Sequence, residues 1–320
     1  MSLEKIADIK VYNDTFVDML EGGQEKKAAQ SALTYTRTKL RENSFFEKIL
    51  TPIDIANDEL DKSENPVLHV KWCDREPDQP PAVSVPLGNV PDGFQFGGTR
   101  YPVYFSRLMS PVFQQDIDKL RGYDYDIRQI LLENSTKDLA TEIDSKGLEK
   151  VNSILGVANT ANTFIGNGLP SYITLSGGIT RANFVEAVKA FQRLRVPFGP
   201  MQEDGKSSKG VMLMNNVTAG DFLKLERSEV GGDEAERAWK EGTLMPKILG
   251  INSILTIKRE LVPDGTIYFF SSEEFLGKYL RLQPLTVFLE TKAFFLQFFQ
   301  YMNIGVSIGN PKGAFRCDFN

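Results

Sequence analysis

Residues 66–105 read PVLHVKWCDREPDQPPAVSVPLGNVPDGFQFGGTRYPVYF. Leu68, Val70 and Trp72 alternate with His69 and Lys71, the period-two pattern of a strand with one apolar face. After the acidic, proline-rich stretch Asp74–Pro81, the alternation returns at Val83, Val85 and Leu87, which predicts a β-hairpin with a long loop. Between Asp74 and Gly98 stand five prolines and four glycines. That density forbids a helix and leaves few residues to build a hydrophobic centre. An isolated two-stranded hairpin is marginal in water, so the apolar face must pack, either on its own domain or on another chain.

On both sides of this segment the period changes to that of helices. Upstream, Leu3, Ile6 and Ile9 make a partial stripe, Gly22-Gly23 interrupt it, and Glu25–Glu42 is a polar helical run, so residues 1–43 read as a helical arm with little core of its own. Downstream, Ile127, Leu131, Leu139, Ile143, Leu148, Val151 and Leu155 recur every three or four positions, predicting a helix over 124–155 on the order of 48 Å long. A second helix is expected over Thr180–Leu194, with Thr180 as cap, a stripe of Phe184, Ala187, Val188, Phe191 and Leu194, and Pro197 as stop.

Beyond Lys209, short strands and turns alternate. Val211–Met214 reads as a strand, Thr218–Leu225 as a short helix and Ser228–Thr243 as a charged loop. Ile248–Leu261 reads as a strand broken at Gly250, Pro263-Asp264-Gly265 as a turn and Thr266–Phe270 as the return strand. This block closes near Pro284. Strand character resumes over Val287–Val306, and Asn310-Pro311-Lys312-Gly313 turns the chain into a last strand, Ala314–Phe319. The expected class is α+β.

The whole chain of 320 residues is 41% hydrophobic and 25% charged, an ordinary globular composition. Its net charge is -5 and its pI about 5.3, with no basic face to neutralise phosphates, so direct binding to nucleic acid is disfavoured. Cys73 and Cys317 form neither a disulfide framework nor a metal-ligand spacing, and a reducing compartment is expected. The N-terminal stretch lacks a signal-like apolar run. Ala293–Ile304 (AFFLQFFQYMNI) is too short and too polar to span a membrane and reads as core.

Sites of chemistry are sparse. His69 is the only histidine, and it falls on the polar side of the hairpin strand, which argues against a catalytic triad or histidine-based zinc site. Gly205-Lys206-Ser207 has Pro200 where a phosphate loop needs its first glycine, and a strand follows where a helix should. Gly166-Asn167-Gly168 lacks the third glycine of a dinucleotide fingerprint and reads as a loop. Glu273-Glu274 reads as a solvated helix start, and Asp58, Glu59 and Asp61 form the other carboxylate group. Phe294, Phe295, Phe298, Phe299 and Tyr301 have no interleaved Arg or Lys, so they read as core rather than as a base-stacking platform. No catalytic, cofactor-binding or metal-binding residue is assigned.

Taken in order, arm, hairpin, long helix, second helix, α/β block and closing strands resemble the major capsid protein fold of tailed bacteriophages, which encapsulins share. The closest local resemblances are VMLMNNVTAGDFLKL at 211–225, ILGINSI at 248–254, PDGTIYFF at 263–270 and GVSIGNPKGAFRCDF at 305–319. Gly313, between Lys312 and Ala314, departs from the family's closing turn.

The resemblance implies an N-terminal arm (1–60), an extended β-hairpin loop (61–105), a peripheral domain with a long spine helix (106–209 and 291–320) and an axial domain (210–290). It further implies self-assembly into hexamers and pentamers of an icosahedral head around double-stranded DNA, without sequence-specific DNA contacts. Leu68, Val70, Trp72, Val83, Val85 and Leu87 would make the inter-subunit contact. Separate scaffold and portal proteins, a decoration protein, no cofactor, no membrane, no enzymatic activity, assembly in the host cytoplasm and residence in the virion capsid complete the expectation. An encapsulin-like cage and a tail or baseplate protein are the alternatives.

Overall fold

The computed structural model describes residues 40–62, 68–76, 97–116, 127–158, 171–194, 210–222, 247–248, 251–292 and 294–320, with a few isolated positions between them. Of the expected arm, residues 1–39 lie outside the described residues, as do Gly166–Gly168, Gly205–Ser207 and the loop expected at 228–243.

In chain order, α1 (Phe46–Ile49) leads into strand β1 (Pro52–Asp54), then β2 (Val70–Arg75), β3 (Thr99–Met109) and β4 (Phe113–Asp116). The long helix α2 (Ile127–Ala158) follows, then β5 (Tyr172–Leu175), α3 (Arg181–Gln192), β6 (Val211–Asn215) and α4 (Asn216–Asp221). Strands β7 (Lys247–Ile248), β8 (Ile251–Thr256) and β9 (Thr266–Phe270), helix α5 (Glu273–Leu276) and strands β10 (Gly277–Lys292), β11 (Phe295–Ile308) and β12 (Ala314–Phe319) complete the chain.

The strands form two sheets. The first runs β1-β10-β11-β3-β2, with β4 also on β11; the second runs β5-β12-β9-β6-β8-β7. Helix α2 lies on the first sheet, where Gln300 of β11 is buried against it and exchanges bonds with Thr136 Oγ1 and Leu132 O. One apolar cluster gathers Leu139, Ile143, Leu148, Val151 and Leu155 of α2 with Met302 and Ile304 of β11 and with Tyr268 and Phe270 of β9. The alternate residues of β9, Ile267 and Phe269, face a second cluster built on Phe184 and Phe191 of α3 and Phe315 of β12. All five residues of β9 are therefore buried, which is why this strand is apolar on both faces.

Local chemistry sets the ends of these elements. The Thr180 side chain accepts a hydrogen bond from Asn183 N and caps α3, as its sequence predicts. Asn215 ends β6 and caps α4 by accepting from Thr218 N at 2.7 Å, while its amide donates to Val262 O and Asp264 Oδ1. The turn at Pro263–Gly265 needs a left-handed residue, and Gly265 has φ +76° with a would-be Cβ 2.6 Å from Phe319 O. A Gly265→Ala variant is expected to lose about 2 kcal/mol or more, read as a lowered denaturation midpoint.

Several boundaries differ from expectation. Helix α2 continues to 158 rather than ending at 155, with 124–126 outside the described residues, α4 starts at Asn216 rather than Thr218, and β8 ends at Thr256 rather than Leu261. Residues 40–43 are not helical. Strand β10 continues through Pro284, where the chain was expected to break. The ladder absorbs the proline's missing donor by shifting register between Arg281 and Gln283 and again before Thr286. The β10–β11 hairpin therefore crosses residue 290. The last strand, expected to complete the same unit as β11, lies in the other sheet. It pairs antiparallel with β9 and parallel with β5, because Ala314, Phe315, Cys317 and Phe319 are buried there. Among the described residues, no helix is long and apolar enough to cross a membrane.

Candidate functional site

The extended segment is a β-ribbon, but not the hairpin its alternation suggests. Strand β2 pairs antiparallel with the start of β3, with Val70 opposite Tyr104, Trp72 opposite Pro102 and Arg75 opposite Thr99. Residues 84–87 belong to no strand, and Val83 lies outside the described residues. The reason is supply of ladder groups: Pro81 and Pro86 flank Val83 and Val85 and lack N–H donors, whereas the eleven-residue β3 carries β-branched and aromatic residues at Thr99, Tyr101, Val103, Tyr104 and Phe105. Pro102 is tolerated in β3 because β11 pairs with that strand only from Phe105 onward, leaving an open edge at Pro102.

Of the five proposed contact residues that are described, Val70 is the exception. It is 3% exposed, and Asp61 N donates to its carbonyl. Leu68, Trp72, Val85 and Leu87 are exposed, and Trp72 retains 42% of its surface beside Tyr104 at 54%. The outer edge of β2 is already occupied: Asp61 accepts from Trp72 N at 2.7 Å, and Lys71 Nζ reaches Glu59 O at 2.6 Å. The Asp61 carboxylate, and the Glu59 carboxylate that accepts from Ala56 N at 3.4 Å, thus hold backbone rather than substrate. Glu273 likewise accepts from Thr51 N at 3.1 Å, and His69 is exposed.

A second exposed surface lies at the far end of the first sheet. The aromatic run expected in the core divides by strand parity. Leu296, Phe298 and Gln300 are buried on the helix side, with Phe298 stacked on Phe113 at 5.1 Å. Phe295 and Phe299 face the other way, with Phe299 5.1 Å from Phe288, and Phe294 at the hairpin tip is 74% exposed. Among the described residues no helix covers this face, and parity could not reveal that, because alternation identifies two faces without saying which one is covered.

Burial raises the thiol of Cys73 on the ribbon. Burial pushes the Cys317 thiol up to about 12, and burial together with neighbouring Cys73 raises the Tyr101 phenol to about 12. Cys317 is expected to resist iodoacetamide at pH 8 in the native protein and to label at once after unfolding; rapid native labelling would contradict its buried placement. A cleft by the ribbon root brings Arg75, Glu274, Lys278 and Lys312 together with mixed charge. Among the described residues, no three His, Cys, Asp or Glu side chains converge as metal ligands.

No family model and no curated protein matches this chain. Solved structures do. The capsid protein of the cyanophage P-SCSP1u aligns at TM-score 0.63 and 13% identity, covering 91% of this chain and 92% of that one. The mature capsid of bacteriophage PhiM1 aligns at TM-score 0.61 and 10% identity over 91% of each chain. The chain has the phage major capsid fold. The virus-like particle of Pyrococcus furiosus also aligns, at TM-score 0.51 and 13% identity over 99% of each chain. Within this capsid fold, the β2–β3 ribbon and the β10–β11 tip are two places among the described residues where large apolar side chains stand in the open.

Proposed function

We propose that this protein is the major capsid protein of a phage head, assembling through copies of itself into hexamers and pentamers of an icosahedral shell around double-stranded DNA. The observation that carries the reading is a capsid fold spanning 91% of the chain combined with an apolar ribbon that its own core leaves uncovered. Leu68, Trp72, Val85 and Leu87 on that ribbon, with Val83, would press against a neighbouring subunit, a contact of the kind that aromatic anchors dominate. Val70, already buried, would support the ribbon instead.

The division into arm (1–60), extended loop (61–105), peripheral part (106–209 and 291–320) and axial part (210–290) belongs to the same proposal. The acidic net charge of -5 fits a shell wall without strong phosphate contacts to the DNA it encloses. The role is structural and not enzymatic. Separate scaffold and portal proteins, a decoration protein, assembly in the host cytoplasm and residence in the virion complete it. The Pyrococcus likeness keeps a cage of the encapsulin type as the second reading, and two phage capsids with higher TM-scores favour the first.

Electron microscopy and size-exclusion chromatography of the purified chain, produced with its scaffold, are expected to show closed particles. A monomer that stays monomeric under all conditions would overturn the proposal. Particles filled with a cargo enzyme instead of DNA would select the cage.

A further inference from the structure

Residues Arg41–Leu50 form a strap across helix α2, and Phe45, Phe46, Ile49 and Leu50 are all buried. Beneath the strap sits a charged node. The carboxylate of Asp144, in α2, is fully buried and accepts from Ser44 Oγ at 2.6 Å, Phe46 N at 2.9 Å, Phe45 N at 3.3 Å and Lys258 Nζ at 2.5 Å. Lys258, in the turn after β8, also donates to Asn43 O at 3.2 Å and lies 5.5 Å from the Phe45 ring centre. Glu42 reaches the same turn, accepting from Thr256 Oγ1 at 2.8 Å and Ile257 N at 3.0 Å. Further polar contacts are Arg41 to Asp138 at 3.0 Å, Tyr279 OH to Glu47 at 3.4 Å and Glu47 N to Ser44 Oγ at 3.2 Å. Helix, strap and second sheet therefore meet at one buried ion pair.

Two observations say what the pair is for. Burial pushes the Asp144 carboxyl up even though Lys258, Ser44 and the Phe46 amide pull it down, so its charge is held there at a cost. Buried ion pairs are commonly no better for stability than apolar side chains of the same volume. Meanwhile the strap's apolar residues define their own seating only in part, through the Ser44 or Glu47 side chain that a slip would carry into a buried site. Phe45-Phe46 and Ile49-Leu50 are adjacent equivalents, so a one-residue slip still lays a phenyl ring and an aliphatic chain over α2. The polar contacts are not degenerate. One hydroxyl followed by two consecutive N–H groups occurs in a single register, and the carboxylate caps α1 from outside, as an N-cap residue would from within.

We infer that the Asp144–Lys258 pair is a register lock, which selects one seating of the strap on helix α2 and ties it to the second sheet without adding net stability. The full chain carrying Asp144→Asn with Lys258→Met tests this, using thermal denaturation and hydrogen exchange on the unassembled protein. The denaturation midpoint is expected to stay within about 3 °C of the parent, while the peptide spanning residues 44–50 exchanges at least roughly tenfold faster. Each single variant, leaving one buried charge or polar group without its ionic partner, is expected to lower the midpoint by on the order of 5–10 °C. A double-variant midpoint loss as large as that of either single variant would show an ordinary stabilising pair and overturn the lock. Unchanged exchange in the strap would show that apolar packing sets the register, and would overturn it equally. Both readouts are taken before any particle forms, so they stand apart from whether the chain makes shells.

Discussion

Closed particles are expected to vanish from preparations of the Trp72→Glu variant while the subunit itself stays folded. Trp72 keeps 42% of its surface exposed and belongs to neither apolar cluster, so the subunit should lose little stability. At an interface the balance reverses. An aromatic anchor is commonly worth about 2–4 kcal/mol, and a carboxylate forced into its pocket adds a desolvation penalty. Taking about 3 kcal/mol for each contact, the concentration needed for assembly rises by roughly a hundredfold, and each subunit of a closed shell repeats that loss. Electron microscopy should show no shells, with the denaturation midpoint near the parent value. Normal shells from this variant would remove the ribbon from the list of assembly contacts.

The Gly147→Ala variant should be markedly less stable than the parent, against the usual rule for helices. In a helix interior, replacing glycine with alanine ordinarily stabilises by about 1 kcal/mol. Here the strap occupies the space: a Cβ at Gly147 would lie 2.6 Å from Cγ and Cε2 of Phe46. Phe46 cannot simply turn aside, because its ring meets Tyr279 edge-on at 6.4 Å and its side chain is fully buried. Overpacking costs about 1–3 kcal/mol, and expelling the ring costs more, so a net loss of about 3 kcal/mol is expected. The denaturation midpoint should fall by on the order of 5–10 °C. A second change, Phe46→Ala, should relieve much of the added penalty, since both changes act on one contact. A raised midpoint in Gly147→Ala would mean that the strap does not sit on α2.

Much of this architecture is legible in residues close together along the chain. Thr180 announces α3, Asn215 ends β6, Pro263-Asp264-Gly265 turns into β9 and Asn310-Pro311 turns into β12, because capping and turn chemistry act over two to four residues. Strands Thr266–Phe270 and Ala314–Phe319 have the expected bounds. Nothing comparable marks the strap. Ser44, Phe45 and Phe46 meet Asp144 about a hundred residues away, and the only local sign is a glycine, Gly147, in the middle of an otherwise good helix.

The sequence by itself determined the class of the protein, the two amphipathic helices, the short strands of the second sheet and the presence of an extended ribbon with an apolar face. Period and turn residues report which way side chains alternate and where the chain reverses. Only the tertiary structure decided that β2 pairs with Thr99–Tyr104 rather than with Val83–Leu87, that β10 runs through Pro284, that the last strand crosses to the other sheet, and that Phe294 and Phe295 stand in the open. The physical reason is common to all four. Alternation fixes a strand's faces, but its partner and the covering of each face depend on segments far along the chain competing for the same edges and apolar surfaces.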